Sequence, residues 1–193
     1  MHHGRIFSTP PDESDGAPGI NLYTPLSTLP STPTKSGLSL LADKVTPYTA
    51  NGFLIQDSLI YISDASFIPN ETWTLLEESR KRNGRPSVAI IDCLRPMAHT
   101  SHFGLREAVA TAREIGAVRS YCVGFGHEVS HASYEKIFGA VDGQDDRDGW
   151  TKTERDGIEM IEPGGDPIWI RPAYDGLQVT VSEGGMIVKD NGY

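Results

Sequence analysis

Four of the six histidines lie just after two short apolar runs, at points where strands would end. They are His99 and His102 in one stretch, and His127 and His131 in the other. Asp64 follows a third apolar run in the same way. Imidazoles and a carboxylate that converge at strand ends are the ligands and acid–base groups of a hydrolytic metal site. The pattern therefore predicts a hydrolase whose active site lies at one edge of a sheet.

The elements that must position these residues alternate between strand-like and helix-like patterns. A hairpin is predicted over residues 52–63, with its turn at Asp57 and Ser58. Helices are predicted from Asn70 to the Asn83–Gly84 stop, over 105–115 and over 132–138, and strands over 88–91, 118–125, 168–171, 177–181 and 186–189. This order of elements indicates a layered α/β domain.

Two segments have compositions unlike the rest. Residues 8–48 are rich in Ser, Thr and Pro without a regular period, which predicts a disordered insertion. Residues 142–166 form an acidic stretch, with eight acids and three bases between Asp142 and Glu162. We expect that stretch to be a loop that projects into solvent. The ordered domain is therefore predicted to cover residues 49–193.

Composition also excludes several classes of partner. The formal net charge is -9 and there is no basic stripe, so binding to nucleic acid is not expected. No apolar run approaches the ~20 residues of a membrane-spanning helix, so no membrane partner is expected. Cys93 and Cys122 lie in or beside strand-like runs, which favours reduced thiols and a cytoplasmic location. The expected partner is a small-molecule substrate.

Several motifs, taken in order, resemble a known family. They are Tyr-Ile-Ser-Asp at 61–64, Asp-Cys-Leu-Arg at 92–95, His-Thr-Ser-His-Phe-Gly-Leu at 99–105, Gly-His-Glu-Val-Ser-His at 126–131 and Tyr-Asp-Gly-Leu at 174–177. Together they are similar to the C-terminal half of a metallo-β-lactamase-fold hydrolase, in its phosphodiesterase-like branch. The resemblance covers roughly residues 50 to 182, interrupted by the acidic stretch.

The resemblance implies half of an αββα sandwich and a site with divalent metal ions, zinc first, with manganese or iron as alternatives. It assigns His3, Asp64 and His127 as metal ligands, with Asp64 bridging two ions. It assigns His102 as the catalytic histidine, which protonates the leaving oxygen or holds the phosphoryl group. His131 matches a nearby histidine of the family. The implied reaction is hydrolysis of a small phosphodiester or cyclic phosphate.

The sequence also departs from the family. The first metal motif, His-x-His-x-Asp-His, is absent, so residues 1–7 are expected to be the remnant of an upstream metal-binding loop and the site to be incomplete in this chain. The alternative is a non-catalytic half-domain, acting as an interaction module or a truncated pseudoenzyme. A half-sandwich would leave the inner sheet face exposed, with residues such as Val88, Ile90 and Ile60. That patch predicts a homo-oligomer.

Four of the site residues also have a structural interpretation. Asp64 could cap the turn that begins at residue 65, and Asp92 could orient neighbouring backbone amides. His127 could be a loop histidine with its hydrogen bonds satisfied. His131 could belong to the N-cap region of the following helix.

Three further residues fit a structural interpretation at least as well. His99 is more simply structural than catalytic. Asp175 most simply forms a turn with Gly176, although it could orient a metal-ligating histidine. His3, with His2, could be a frayed terminus or the remnant of a tag.

Overall fold

Six strands form one mixed sheet and lie side by side in chain order. The structure is a computed structural model and describes residues 19–24, 48–144, 146–161, 165–182 and 188–193. The strands of this sheet are β1 (Gly19–Thr24), β2 (Tyr48–Ile55), β3 (Leu59–Ile62), β4 (Val88–Asp92), β5 (Arg119–Val123) and β6 (Ile170–Pro172). A separate antiparallel ribbon consists of β7 (Val179–Val181) and β8 (Val188–Asp190).

Four helices lie between these strands in the described part of the chain. They are α1 (Asn70–Asn83), α2 (Leu105–Ile115), α3 (His131–Val141) and α4 (Lys152–Met160). Gly116 ends α2 in the left-handed conformation (φ 65°), as is common after a helix C-terminus. Strands and helices in this order confirm the predicted α/β class.

The sheet changes from antiparallel to parallel at β3. Strands β1, β2 and β3 are antiparallel neighbours, and the β2–β3 turn passes through left-handed conformations at Gln56 (φ 49°) and Asp57 (φ 52°). The predicted hairpin is therefore confirmed. Strands β3, β4, β5 and β6 are all parallel to one another. Their carboxyl ends consequently lie at the same edge of the sheet.

The main core lies between one face of the sheet and the helices. Ile60, Ile62 and Ile91 of the strands pack there with Leu105 and Val109 of α2. Strand β4 is buried along its whole length, as its continuous apolar run predicts. Burial of these aliphatic side chains contributes about 1.5–3 kcal/mol each to the driving force for folding.

The opposite face is partly covered, which corrects one expectation. Val88 (0% exposed) and Ile90 (7%) are buried in a second cluster with Val188 of β8, so they do not form an exposed patch. The sequence could not show that the β7–β8 ribbon folds back over this face. Ile60 lies on the helix side. Phe53 remains 45% exposed beside Tyr61, with ring centroids 6.3 Å apart.

Regular structure also occurs in two segments where none was expected. Strand β1 lies within the Ser/Thr/Pro-rich segment, so the prediction of disorder is wrong for Gly19–Thr24, while residues 8–18 and 25–47 lie outside the described part. Helix α4 lies within the acidic stretch and begins with a capping box between Thr151 and Glu154. Trp150 and Ile161 are buried at its two ends. The prediction of a solvent-exposed loop is therefore wrong here, because it relied on charge density and overlooked a helix flanked by buried apolar residues.

Helix α4 packs closely on α3 because of one glycine. A Cβ atom at Gly157 would lie 2.6 Å from Cδ1 of Ile137, closer than carbon atoms pack.

Within the described residues, no helix has both the length and the apolar character needed to cross a membrane.

Candidate functional site

The carboxyl-end edge of the parallel strands carries the residues that the sequence analysis selected. Asp64 follows β3, Asp92 is the last residue of β4, His127 follows β5 and Asp175 follows β6. The loop after β4 also carries His102. Crevices at this edge are the usual ligand sites of open α/β sheets.

The best-defined contact at this edge joins Asp92 and His102. Nδ1 of His102 lies 2.9 Å from Oδ2 of Asp92, and the Phe103 backbone N–H donates to the same oxygen at 3.2 Å. The side chain of Asp92 is 2% exposed and that of His102 is 22% exposed. A carboxylate acceptor at Nδ1 fixes the proton on that nitrogen, so Nε2 is the basic nitrogen of the neutral ring.

Burial determines the electrostatics of this pair. Desolvation raises the pKa of Asp92 above its usual value of 3.8, and the nearby Asp64 carboxylate raises it further. The charge and hydrogen bond of His102 and the Phe103 N–H act in the opposite direction. These two donors therefore offset part of the cost of burying the Asp92 carboxylate.

A glycine after β5 makes room for Asp92. Gly124 has a positive φ of 81°, and a Cβ there would lie 2.9 Å from Oδ1 of Asp92. Any larger residue would therefore carry both backbone strain and a clash with the carboxylate.

Asp64 lies on the solvent side of the same histidine. Its Oδ1 is 4.0 Å from Nδ1 of His102, and its side chain is 56% exposed. Its backbone is in the left-handed region, with φ 56°, a conformation that non-glycine residues adopt at a cost and that is enriched at functional sites. The hydroxyl of Ser66 donates to the Thr100 carbonyl at 2.9 Å and so ties the two loops together.

The remaining histidines at this edge have other surroundings. His99 approaches Ser101, with Nδ1 3.1 Å from Oγ, and its ring centroid is 5.7 Å from that of His102. His127 is exposed. His131 is the first residue of α3, directly after the N-cap Ser130, as its structural interpretation proposed.

Two further assignments have less to support them in the structure. Asp175 is exposed in a turn with Gly176 (φ 89°), which fits the simpler interpretation. His3 lies outside the described residues. The close approach of Asp64 and His127 stays a prediction.

The described residues do not fit a complete metal centre. Among them, no group of three or more His, Cys, Asp or Glu side chains is placed to hold a metal ion. Asp64 and His102 together offer two side chains, whereas a catalytic zinc site has three protein ligands. Nδ1 of His102 is hydrogen-bonded to Asp92, so only Nε2 of that ring could bind an ion.

The sequence analysis gave no role to Arg95, although this residue ends the Asp-Cys-Leu-Arg motif. Its backbone forms an isolated bridge with Gly104, which follows the His102 turn. Its guanidinium lies 3.9 Å from Glu128, the neighbour of His127. The available signal was the position of an arginine three residues after a strand-end aspartate.

No protein-family profile matches the chain, and no curated protein does. Among solved structures, the chain is similar to one described as a new diphosphatase from the PhnP family, with a TM-score of 0.44 and 20% sequence identity. The similarity covers 67% of this chain and 37% of that chain, so this chain spans little more than a third of its length.

Proposed function

We propose that this chain carries the acid–base part of a phosphoester hydrolase, in which His102 transfers the proton. The observation that supports this most is the 2.9 Å contact between its Nδ1 and the buried carboxylate of Asp92. A histidine that is oriented by a buried carboxylate at the carboxyl ends of parallel strands is a common arrangement for general acid–base catalysis.

In this proposal each side chain of the site has a separate task. Asp92 holds the Nδ1 proton and fixes the ring, so Nε2 takes a proton from water or gives one to the leaving oxygen. Asp64, 4.0 Å from Nδ1, places a second carboxylate beside the ring. General acid–base catalysis of this kind contributes about 10²–10⁴-fold to a rate. The proposed substrate is a small phosphodiester or cyclic phosphate.

These tasks concern the side chains of this chain alone. The family resemblance implies a divalent ion, zinc first, but the described residues lack a three-ligand cluster. Such a centre would need ligands from outside the described part, of which His3 is one candidate. A cytoplasmic location and a homo-oligomer formed through the exposed part of the sheet face belong to the same proposal.

The second candidate is a non-catalytic half-domain that serves as an interaction module. It is favoured by the same absence of a three-ligand cluster among the described residues. Under this alternative the Asp92–His102 pair only fixes the loop after β4. Substitution of His102 would then alter stability but no reaction.

Hydrolysis of bis-p-nitrophenyl phosphate distinguishes the two candidates. The assay compares the 193-residue chain with the same chain joined to a segment that carries a His-x-His-x-Asp-His motif, each with zinc or manganese. We expect turnover only where a His-x-His-x-Asp-His motif is supplied. His102→Gln should lower kcat by about 100-fold or more. His99→Gln is the matched control, because its ring lies 5.7 Å away and Ser101 is its partner.

Two outcomes would contradict this proposal. One is equal activity of the His102→Gln and His99→Gln variants. The other is the absence of turnover in both forms of the protein with both metals, which would favour the interaction module.

A further inference from the structure

Arg95 is held between the two loops that carry the candidate histidines. The N–H of its neighbour Leu94 donates to the Phe103 carbonyl at 3.1 Å, and the Leu94 carbonyl accepts from Gly126 at 2.6 Å. Arg95 itself bridges to Gly104. The backbone of Arg95 is thus fixed between the loop of His102 and the loop that leads to His127.

The guanidinium of Arg95 has hydrogen-bonding capacity to spare. Its Nε is buried and has no hydrogen-bond partner within the described structure. Its Nη1 is 3.9 Å from Oε1 of Glu128, which is beyond hydrogen-bond distance, and the Glu128 side chain is 61% exposed. In contrast, Nε of Arg106 donates to the Met160 carbonyl at 2.9 Å.

An unpaired buried donor is costly and therefore informative. Leaving a buried N–H without an acceptor costs about 1–3 kcal/mol, and native structures rarely leave one without a reason. The fork of an arginine matches two oxygens of a phosphate or carboxylate group. The side chain of Arg95 is 37% exposed, so a ligand can reach part of it from solvent, although Nε itself is buried.

We propose that Arg95 binds a non-bridging phosphate oxygen of the substrate through its guanidinium group. This role rests on the proposed hydrolase function and adds a specificity-determining residue to it. Arg95 lies on the chain between Asp92 and His102, at the same sheet edge as both. A phosphate group held there would be anchored at the edge where His102 transfers its proton.

The test is a titration of the full chain with inorganic phosphate, followed by calorimetry and by the arginine Nε–H resonances in NMR spectra. We expect the Arg95 Nε–H resonance to shift. Arg95→Lys keeps the charge but loses the fork, and we expect it to weaken phosphate binding about tenfold, which corresponds to about 1.4 kcal/mol. Arg106→Lys is the control and should bind phosphate as the wild type does. Acetate should bind more weakly than phosphate.

Several outcomes would overturn the role of Arg95. They are no phosphate binding, phosphate shifts that leave the Arg95 resonance unchanged, or equal affinity of Arg95→Lys and wild type. If Arg95→Lys does not fold, the resonance shift in the wild type still decides. This binding test needs no turnover, so it separates the two proposals. Loss of the His102 role would leave phosphate binding at Arg95 intact, and failure at Arg95 would leave the His102 dependence of hydrolysis intact.

Discussion

Replacing Asp92 by asparagine probes the pair at the candidate site without changing its shape. The carboxylate accepts from His102 at 2.9 Å and from the Phe103 N–H at 3.2 Å. Replacing a charge-assisted hydrogen bond by a neutral one costs about 1 kcal/mol. Removing the buried charge stabilises the fold by a similar free energy, because burial is the main reason that the pKa of Asp92 is raised. We therefore expect Asp92→Asn to change the free energy of unfolding by less than about 1 kcal/mol at pH 7.

Asp92→Ala should behave differently. It leaves the Phe103 N–H without an acceptor in a buried position, so it should destabilise the fold by about 1–3 kcal/mol more than Asp92→Asn does. The pH dependence separates the charge from the hydrogen bond. Because the folded pKa of Asp92 lies above 3.8, the native state holds more protons than the unfolded state in the window above that value. The contribution of Asp92 to stability therefore falls as the pH rises through this window. The stability of Asp92→Asn should accordingly rise relative to that of the wild type.

The same variant should reverse the tautomer of His102. When the asparagine oxygen accepts from the Phe103 N–H, its amide group faces Nδ1, which must then be unprotonated. Urea unfolding from pH 3 to 7 measures the stabilities, and ¹⁵N chemical shifts of the imidazole ring report the tautomer. The reasoning is refuted if Nδ1 of His102 keeps its proton in Asp92→Asn, or if the alanine and asparagine variants are equally stable.

The remaining predictions concern stability and metal binding. Hydrogen bonding from the Thr151 backbone N–H holds the pKa of Glu154 below its usual 4.5. Glu154→Gln should thus cost about 1–2 kcal/mol at pH 7, and urea unfolding should show this cost disappearing as the pH falls below 4.5 through the folded pKa. Gly157→Ala should lower stability by about 1 kcal/mol, because the 2.6 Å contact with the fully buried Ile137 outweighs the gain in helix propensity; an unchanged thermal midpoint would contradict this. Treatment of the chain with EDTA should leave its melting temperature unchanged, since no three-ligand cluster exists among the described residues, and a clear drop would reveal a bound ion.

The sequence predicted the elements wherever local patterns and packing agree. Helix α2 has apolar residues at helical spacing and a glycine stop, and β4 is a short continuous apolar run; both occur as predicted. The prediction failed where composition alone was used. Thr151 and Glu154 form a capping box that the acidic composition concealed, and Trp150 anchors the helix beside it.

The candidate site shows the same division. Asp64 and Asp92 could be identified from the sequence, because an acidic residue at the end of an apolar run can be recognised without a structure. The pairing of Asp92 with His102 depends on how the loop after β4 folds back, which spacing does not determine. Arg95 was missed because its unpaired Nε is a property of burial alone.

The β7–β8 ribbon occupies sheet surface that a second sheet would need in order to pack on this one. Tyr121 of β5 donates to Asp190 at 2.7 Å, and Arg119 pairs with the same carboxylate. These contacts hold the ribbon over Val88 and Ile90, which would otherwise be exposed. A second sheet would have to displace the ribbon or pack beside it, near the partly exposed Phe53. The β7–β8 ribbon and an external domain would therefore compete for the same sheet face.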